Sequence, residues 1–394
     1  MAARKHTYII AINELSPHRA GEYTYKYSST FFEISAVKGS AQVVFRMGST
    51  KLKTAEDVLR SAYGEDALRK LHLYHIIRFG VPPKVDSITV SIDESETLFT
   101  RAHPDFPFLI TMLGTSELQL PAAWQEEQFL NAVLNTTKSS ALNDRRFVCL
   151  YAFLAGTGKD YEVDAFTCYW TAMNAQYDHL YSSYQRTADL SFLGTPANKQ
   201  KRGIFNAKSE RTTISMLMRI LDCGGIKTAQ GFKDQYRDLV YSFRHIPENQ
   251  LDALYDQLYA HRSDAAYVPA EYLADPRELG CQLIALRSAI TKPDPKKPGE
   301  TKTILGVSTS AYGCILLDFA YRMRCEYLHG SCTLPLFSTK EDSVVPAFRA
   351  LNLFLERYLV DHIPDMFSPH WMDQEKQDII TAFILSSDFD LLNK

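Results

Sequence analysis

Short runs in which apolar and polar residues alternate dominate the first hundred or so positions. This alternation predicts β-strands, because successive side chains of a strand point to opposite faces. Gly39 lies between two of the runs and suits a turn. The predicted strands are Thr7–Ile12, the Tyr23, Tyr25 and Tyr27 alternation, Phe31–Val37, Ala41–Met47 and Ile88–Ile92.

One helix interrupts the strand-rich region. Thr54 is followed three residues later by Asp57, a spacing typical of a helix N-terminus at which side chains and backbone N–H groups bond reciprocally. Apolar residues recur through His75, and Pro82–Pro83 end the helix. We therefore predict a small α/β module over residues 1–118, with a sensing or regulatory role.

From about Pro121 the apolar residues recur at steps of three and four, which is the spacing of a helix. The clearest case is Val163–Tyr184, and Ser343 is placed to cap a last long helix. The fold class predicted is α+β, with a mainly α-helical bundle over residues 119–394. Further predicted helices are Arg145–Leu154, Gln250–Tyr259, Arg277–Ile290 and Ser308–Leu328.

Two basic segments interrupt the helical pattern. Pro196–Arg211 carries five Lys or Arg against one Glu, and Thr291–Thr303 carries four Lys against one Asp and one Glu. Such composition is costly to bury, so both are predicted to be exposed loop insertions, near 196–211 and 291–303. They are either solvated linkers or loops that contact phosphates.

Charge and cysteine usage narrow the class of protein. Forty-three Lys+Arg against 46 Asp+Glu give a net charge of -3, which excludes a globally basic nucleic-acid coat but permits a local basic groove. No apolar run approaches the roughly 20 residues of a membrane span. The seven cysteines form no C-x-x-C pair, so we expect reduced thiols and a cytoplasmic protein.

Two short motifs fall short of the sites that they resemble. Ala155–Asp160 reads AGTGKD, but Phe153 replaces the first glycine of a phosphate-binding loop and Asp160 replaces its Ser or Thr. A turn after the preceding helix is the simpler interpretation. His72 and His75 could share a helix face, yet without a third ligand they favour surface polarity over metal binding. We predict neither a metal nor a cofactor.

One motif has the chemistry of RNA cleavage. The segment LLDFAYRMRCEYLHGS, Leu316–Ser331, separates Arg324 from His329 by four residues and ends near Gly330. Histidine can take the 2′-hydroxyl proton or protonate the leaving oxygen. Arginine offers a charged, planar fork to the phosphate oxygens.

This segment resembles the R-x(4 to 6)-H motif of HEPN superfamily ribonucleases. The glycine directly after the histidine, Gly330, makes it similar to the Apea-like branch of that superfamily. RRFVCLYAFL at Arg145 and VDAFTCYWTAMNAQYDHLY at Val163 look like the two early bundle helices of that branch, with an aromatic pair at Tyr169–Trp170. The resemblance covers roughly Trp124 to the C-terminus.

The resemblance implies a HEPN-like bundle and a metal-independent endoribonuclease in which Arg324 and His329 are catalytic. It also implies a homodimer that cleaves RNA in antiviral defence, abortive infection or a toxin system, with an antitoxin or trigger protein as a further partner. Cys325 stands where the family usually has a polar residue. This departure keeps open a non-catalytic HEPN-like module that binds RNA or a partner.

Three further residues are candidates for substrate binding. Arg324 and His329 lie roughly 140° apart on an ideal helix, whereas Arg322 precedes His329 by seven residues on nearly the same stripe. Arg322 is therefore a phosphate contact or an ion-pair partner of Glu326. Asn174 is an auxiliary polar residue, or it is an ordinary helix residue that faces solvent or bonds to a neighbour.

Tyr327 is the last candidate. Its ring could stack on a base, or it could pack within the bundle.

Overall fold

The chain forms two compact units in this computed structural model. The first unit contains residues 1–159 and 360–368, and the second contains residues 160–359 and 369–394. The residues described are 6–14, 25–28, 32–37, 40–47, 52–80, 85–104, 118, 120–223, 292–293, 301–302, 317, 320–321, 324–325, 344–390 and 392.

A six-stranded antiparallel sheet in the order β2-β3-β4-β1-β5-β6 forms the first unit's main layer. Strands β1, β4 and β5 contain the predicted strands, and β2 and β3 overlap theirs, whose first residues, Tyr23 and Phe31, lie outside the described residues. The sequence does not predict β6, because its exposed residues lack a clear alternation. The strands are β1 His6–Glu14, β2 Tyr25–Ser28, β3 Phe32–Val37, β4 Ser40–Met47, β5 Val85–Ile92 and β6 Ser95–Thr100.

Two helices, α1 (Ala55–Arg60) and α2 (Ala62–Phe79), replace the single helix predicted between β4 and β5. The capping box at Thr54 and Asp57 is confirmed. Ser61 ends α1 and caps α2 with its side chain. Gly80 ends α2 with φ +74, where a Cβ would lie 2.3 Å from the Leu118 carbonyl oxygen, so only glycine fits. Pro82–Pro83 lie outside the described residues.

The core of this unit lies where α2 packs on β1 and β4. Alternate side chains of the strands are buried, as the sequence pattern predicts. The buried residues include Tyr8, Ile10, Ile12, Ile34, Leu71, Ile77, Ile88, Val90 and Phe99.

Short helices complete the first unit: a 3₁₀ turn at Ala122–Gln125, then α3 (Glu127–Leu134), α4 (Lys138–Ala141) and α5 (Arg145–Thr157). Trp124 is fully buried and donates its indole N–H to the Val360 carbonyl at 2.6 Å. Backbone bonds from Gly158 and Lys159 turn the chain after α5. The simpler interpretation of AGTGKD, a turn, is thereby confirmed.

The described residues of the second unit are mostly helical. Its helices are α6 Glu162–Thr187, α7 Lys199–Ala207, α8 Glu210–Cys223, α9 Val344–Met366, α10 Gln374–Leu385 and α11 Ser387–Asp390, of which α9 also supplies residues 360–366 to the first unit. The predicted helix at Val163–Tyr184 is confirmed as α6, and α8 packs on α6 and α10. One face of α9 is buried, with Phe348, Leu351, Leu355 and Tyr358.

The prediction of a loop insertion at 196–211 is wrong. Residues 196–198 form a 3₁₀ turn, α7 follows, and α8 begins at Glu210. The segment orders because Ile204 and Phe205 are buried and Lys201 donates to the Asp390 carboxylate at 3.0 Å. At the second basic segment, Lys292–Pro293 (β7) pairs with Thr301–Lys302 (β8), and residues between them lie outside the described part.

The fold is thus mixed α+β and mostly helical, with a small N-terminal sheet. The compact units do not follow the predicted division at residue 118, since the first unit also includes α3 to α5, and the predicted domains stay a prediction. The helices expected at Gln250–Tyr259 and Arg277–Ile290 lie outside the described residues. Among the described residues, no helix is long and apolar enough to cross a membrane.

Candidate functional site

A carboxylate with three donors lies at the centre of the candidate site. Glu210 accepts hydrogen bonds from the Tyr177 hydroxyl at 2.9 Å and from the Trp170 indole N–H at 3.3 Å. Its other oxygen lies 3.1 Å from Nη1 of Arg324. We call Glu210, Trp170, Tyr177 and Arg324 the Glu210 cluster; it joins α6, α8 and the helical residues 324–325.

The start of α8 places Glu210. Ser209 caps the helix by accepting from the Thr212 backbone N–H at 3.2 Å, so Glu210 lies in the first turn, where the helix dipole favours a negative charge. Lys208 turns the chain between α7 and α8 with φ 47. This left-handed backbone conformation is unusual for a residue other than glycine. The side chain of Lys208 forms an ion pair with Asp178.

Arg324 is half-buried and held on one side. Its side chain keeps 22% of its surface exposed, and Nη1 also lies 3.9 Å from the Cys325 sulfur. Its Nε is buried and has no hydrogen-bond partner in the described part of the chain. Glu210 thus fixes the guanidinium without satisfying all of its donors.

Tyr321, three residues before Arg324 in the chain, borders the cluster. Its ring centroid lies 6.2 Å from that of Trp170. Burial, a hydrogen bond with Cys325 and the negative charge of Glu210 raise the pKa of Tyr321 to about 12, while Arg211 opposes this shift. The phenol therefore stays neutral and can donate a hydrogen bond at physiological pH.

Asn174 connects to the cluster through Tyr177. The Tyr177 hydroxyl, which has a single proton, lies between the Asn174 side-chain oxygen and the Glu210 carboxylate and shares that proton between them. Burial and the Glu210 charge raise the pKa of Tyr177, and Arg324 partly offsets them. Asn174 is thus bonded to a neighbour, which was one of its two predicted alternatives.

A second carboxylate lies on the neighbouring face of α6. Tyr169 directly precedes Trp170, which donates to Glu210. The Tyr169 hydroxyl donates a hydrogen bond to the Glu356 carboxylate at 2.8 Å. Burial raises the pKa of Glu356, and the Tyr169 bond partly offsets this. The predicted aromatic pair Tyr169–Trp170 therefore bonds to carboxylates from α9 and α8.

The structure brings together two of the five predicted site residues. Arg324 and Asn174 are linked through Glu210 and Tyr177, although 150 positions separate them in the chain. The other three, Arg322, Tyr327 and His329, lie outside the described residues, so their predicted roles stay predictions.

Sequence reasoning missed Glu210. The available signal was its place as the only acidic residue in the basic segment 196–211, directly after Ser209. An acidic residue after a serine is typical of a first helical turn, but the segment was interpreted as a loop. Its pairing with Arg324 spans 114 positions and leaves no local sequence pattern.

His72 and His75 are buried on α2, so the expectation of surface polarity is wrong. Both ring nitrogens of His72 lack a hydrogen-bond partner. Burial, with a smaller effect of His75, lowers the pKa of His72 to about 3. The described part of the chain contains no group of three or more His, Cys, Asp or Glu that could hold a metal ion.

Chemically, the cluster can present a fixed guanidinium to an anion. It has an aromatic border, a neutral phenol and an amide nearby, all within the second unit. No protein-family model, no curated protein and no solved structure matches this chain. The geometry of the cluster and the resemblance of the Arg324 segment therefore carry the functional argument.

Proposed function

We propose that the protein is a metal-independent endoribonuclease of the HEPN type, in which Arg324 and His329 act on the scissile phosphate. The observation that carries the proposal is the hold of Glu210 on Arg324 at 3.1 Å. Trp170 and Tyr177 fix that carboxylate in turn. Preorganised charge of this kind stabilises a transition state without reorganisation during the reaction.

The proposed reaction uses the substrate's own 2′-hydroxyl as the nucleophile. A base removes its proton, the 2′-oxygen bonds to phosphorus, and the 5′-oxygen leaves with a proton from an acid. His329 serves as that base or acid, and Arg324 offsets the charge on the phosphorane. The products are a 2′,3′-cyclic phosphate and a 5′-hydroxyl, so DNA would not react.

The test is cleavage of labelled single-stranded RNA and matched DNA by the purified chain in the presence of a chelator. We expect RNA alone to be cut and His329→Ala or Arg324→Ala to abolish the cyclic-phosphate product. The exposed residues His370 and Arg202 supply matched controls, His370→Ala and Arg202→Ala, which should cleave normally. Full activity in His329→Ala would rule out the proposed mechanism.

A second candidate is a non-catalytic module that binds RNA or a partner. The pairing of Arg324 with Glu210 favours it, because the carboxylate already offsets the arginine's charge. The adjacent Cys325 is a weak hydrogen-bond partner where the resemblance expects a polar residue. Retention of RNA without cleavage in the same assay would favour this candidate.

The biological setting belongs to the proposal as well. We propose a cytoplasmic homodimer with two Arg324–His329 pairs at one cleft, acting in antiviral defence or as a toxin under an antitoxin or trigger. Light scattering tests the dimer. Growth of cells that express wild-type or His329→Ala protein tests toxicity, which only the wild type should cause.

A further inference from the structure

Arg324 and Arg211, both in the second unit, each have a donor without an acceptor. Their Nε atoms are buried and have no hydrogen-bond partner among the described residues. A buried donor without a partner is costly, and native proteins contain few. Two such donors near one cluster indicate an acceptor that comes from outside the described residues.

The bonding of Arg324 shows which side would take that acceptor. Glu210 binds Nη1, whereas Nε and Nη2 form the edge of a guanidinium that makes two parallel bonds to a phosphate or carboxylate. Glu210 therefore holds the group without using this edge. The side chain as a whole keeps 22% of its surface exposed, and its Nε atom is buried.

Charge favours an anion at this place. Arg211 follows Glu210 in the first turn of α8 and makes no ion pair among the described residues. The charges of Glu210 and Arg211 both affect Tyr321: Glu210 raises the pKa of its phenol and Arg211 lowers it. Among the described residues Glu210 pairs with Arg324, so the charge of Arg211 is one excess positive charge beside the cluster, which matches one phosphodiester.

We infer that Arg324 and Arg211 together bind one phosphodiester group of an RNA strand, and that Glu210 is the positioning residue that keeps the Nε–Nη2 edge of Arg324 turned toward it. The choice of RNA rests on the proposed function. The phosphodiester site itself rests on the unpartnered donors and the excess charge.

Binding of a short fluorescent 2′-O-methyl RNA to the full chain tests the site, because this probe cannot be cleaved. Arg211→Gln should weaken binding several-fold and reduce the slope of log K against log salt by about 0.7, the value for one contact to a single strand. Arg211→Lys should keep the slope. Arg324→Lys should keep the slope but weaken binding about tenfold, since a lysine cannot form the two parallel bonds.

Arg202→Gln is the matched control, because Arg202 is an exposed arginine of α7 and the change in net charge is the same. It should bind like the wild type. An unchanged affinity and slope in Arg211→Gln, or an equal loss in Arg202→Gln, would overturn the site. Should Arg211→Gln fail to fold, Arg211→Met decides, since wild-type affinity and slope with this variant would exclude a phosphate contact of Arg211.

Glu210→Gln tests positioning. The variant should bind the 2′-O-methyl RNA at least as tightly as the wild type, yet cleave RNA at least tenfold more slowly at saturating substrate. Equal cleavage would refute the positioning role. If RNA binding depends on Arg211 but no RNA is cleaved, the proposed nuclease activity is refuted and the phosphodiester site is not. If cleavage depends on His329 but RNA binding does not depend on Arg211, the phosphodiester site is refuted and the nuclease activity is not.

Discussion

The Tyr169 hydroxyl donates a hydrogen bond to the Glu356 carboxylate at 2.8 Å, between α6 and α9. Both groups are largely buried, and burial raises the pKa of each. The bond lowers the pKa of Glu356 because the hydroxyl stabilises the ionised carboxylate. It therefore links the packing of α6 on α9 to the protonation of a buried acid.

Tyr169→Phe should destabilise the second unit. The change removes the donor to Glu356 and leaves a buried carboxylate without it, which costs about 1–3 kcal/mol. The pKa of Glu356 should rise further, so the loss should grow with pH above the acid's ordinary range. Urea unfolding at several pH values measures this effect. Tyr161→Phe, at a half-exposed tyrosine that precedes α6, is the control and should change little; equal losses would contradict the assignment.

Stability of the first unit should fall in mild acid because of His72. Burial lowers its pKa from 6.5 to about 3, so between these values the unfolded chain binds a proton that the folded chain does not. The stabilising difference is therefore fully present above pH 6.5 and is lost as the pH falls toward 3. From pH 7 to pH 5 this linkage costs about 2 kcal/mol.

Urea unfolding of His72→Leu across that pH range checks the linkage. The variant should lose that part of the pH dependence and gain stability at pH 5 relative to the wild type. His370→Leu, at an exposed histidine, should follow the wild-type curve. A His72→Leu curve parallel to that of the wild type would show that His72 is not the group responsible.

Lys201→Met should loosen the C-terminal helices. Lys201 is 9% exposed and donates to the Ser386 carbonyl at 2.6 Å and the Asp390 carboxylate at 3.0 Å. Loss of charged hydrogen bonds of this kind costs about 1.5–3 kcal/mol. Hydrogen exchange should show faster opening of α11. Lys199→Met, at an exposed position of the same helix, should leave exchange unchanged, and an unchanged rate in Lys201→Met would refute the anchoring role.

Whether a residue's contacts lie near it or far from it in the chain explains which parts of the structure could be predicted from sequence. Alternation indicates strands because burial of one sheet face is a local pattern, as at Tyr8, Ile10 and Ile12. The capping box at Thr54 is equally local. The loop prediction at 196–211 failed because it was based on the local charge of the segment. Lys201 bonds to the carboxylate of Asp390, which lies 189 positions away in the chain and is not visible in that local pattern.

The candidate site shows the same limit. The motif identified Arg324 from its spacing to His329, and the polar side of a helix suggested Asn174. The carboxylate that joins them, Glu210, belongs to a third segment and is recognisable only after folding. A polar side chain such as that of His72 predicts an exposed position. The face of α2 that carries His72 is nevertheless buried.

The Glu210 cluster should respond unequally to the loss of its two charges. Glu210→Ala removes the acceptor of three donors, from Trp170, Tyr177 and Arg324, and should cost about 1–3 kcal/mol. Arg324→Ala should cost about 1 kcal/mol or less, because Glu210 keeps its two neutral donors and the pair is partly exposed.

A double-mutant cycle of the two substitutions, measured by urea unfolding, checks this order. The double variant should be less destabilised than the sum of the single ones, because the Arg324–Glu210 bond is lost once in each. A loss in Arg324→Ala as large as that in Glu210→Ala would mean that the carboxylate depends on the arginine. The arginine would then be a structural element of the fold, and its availability to an RNA phosphate would have to be rejected.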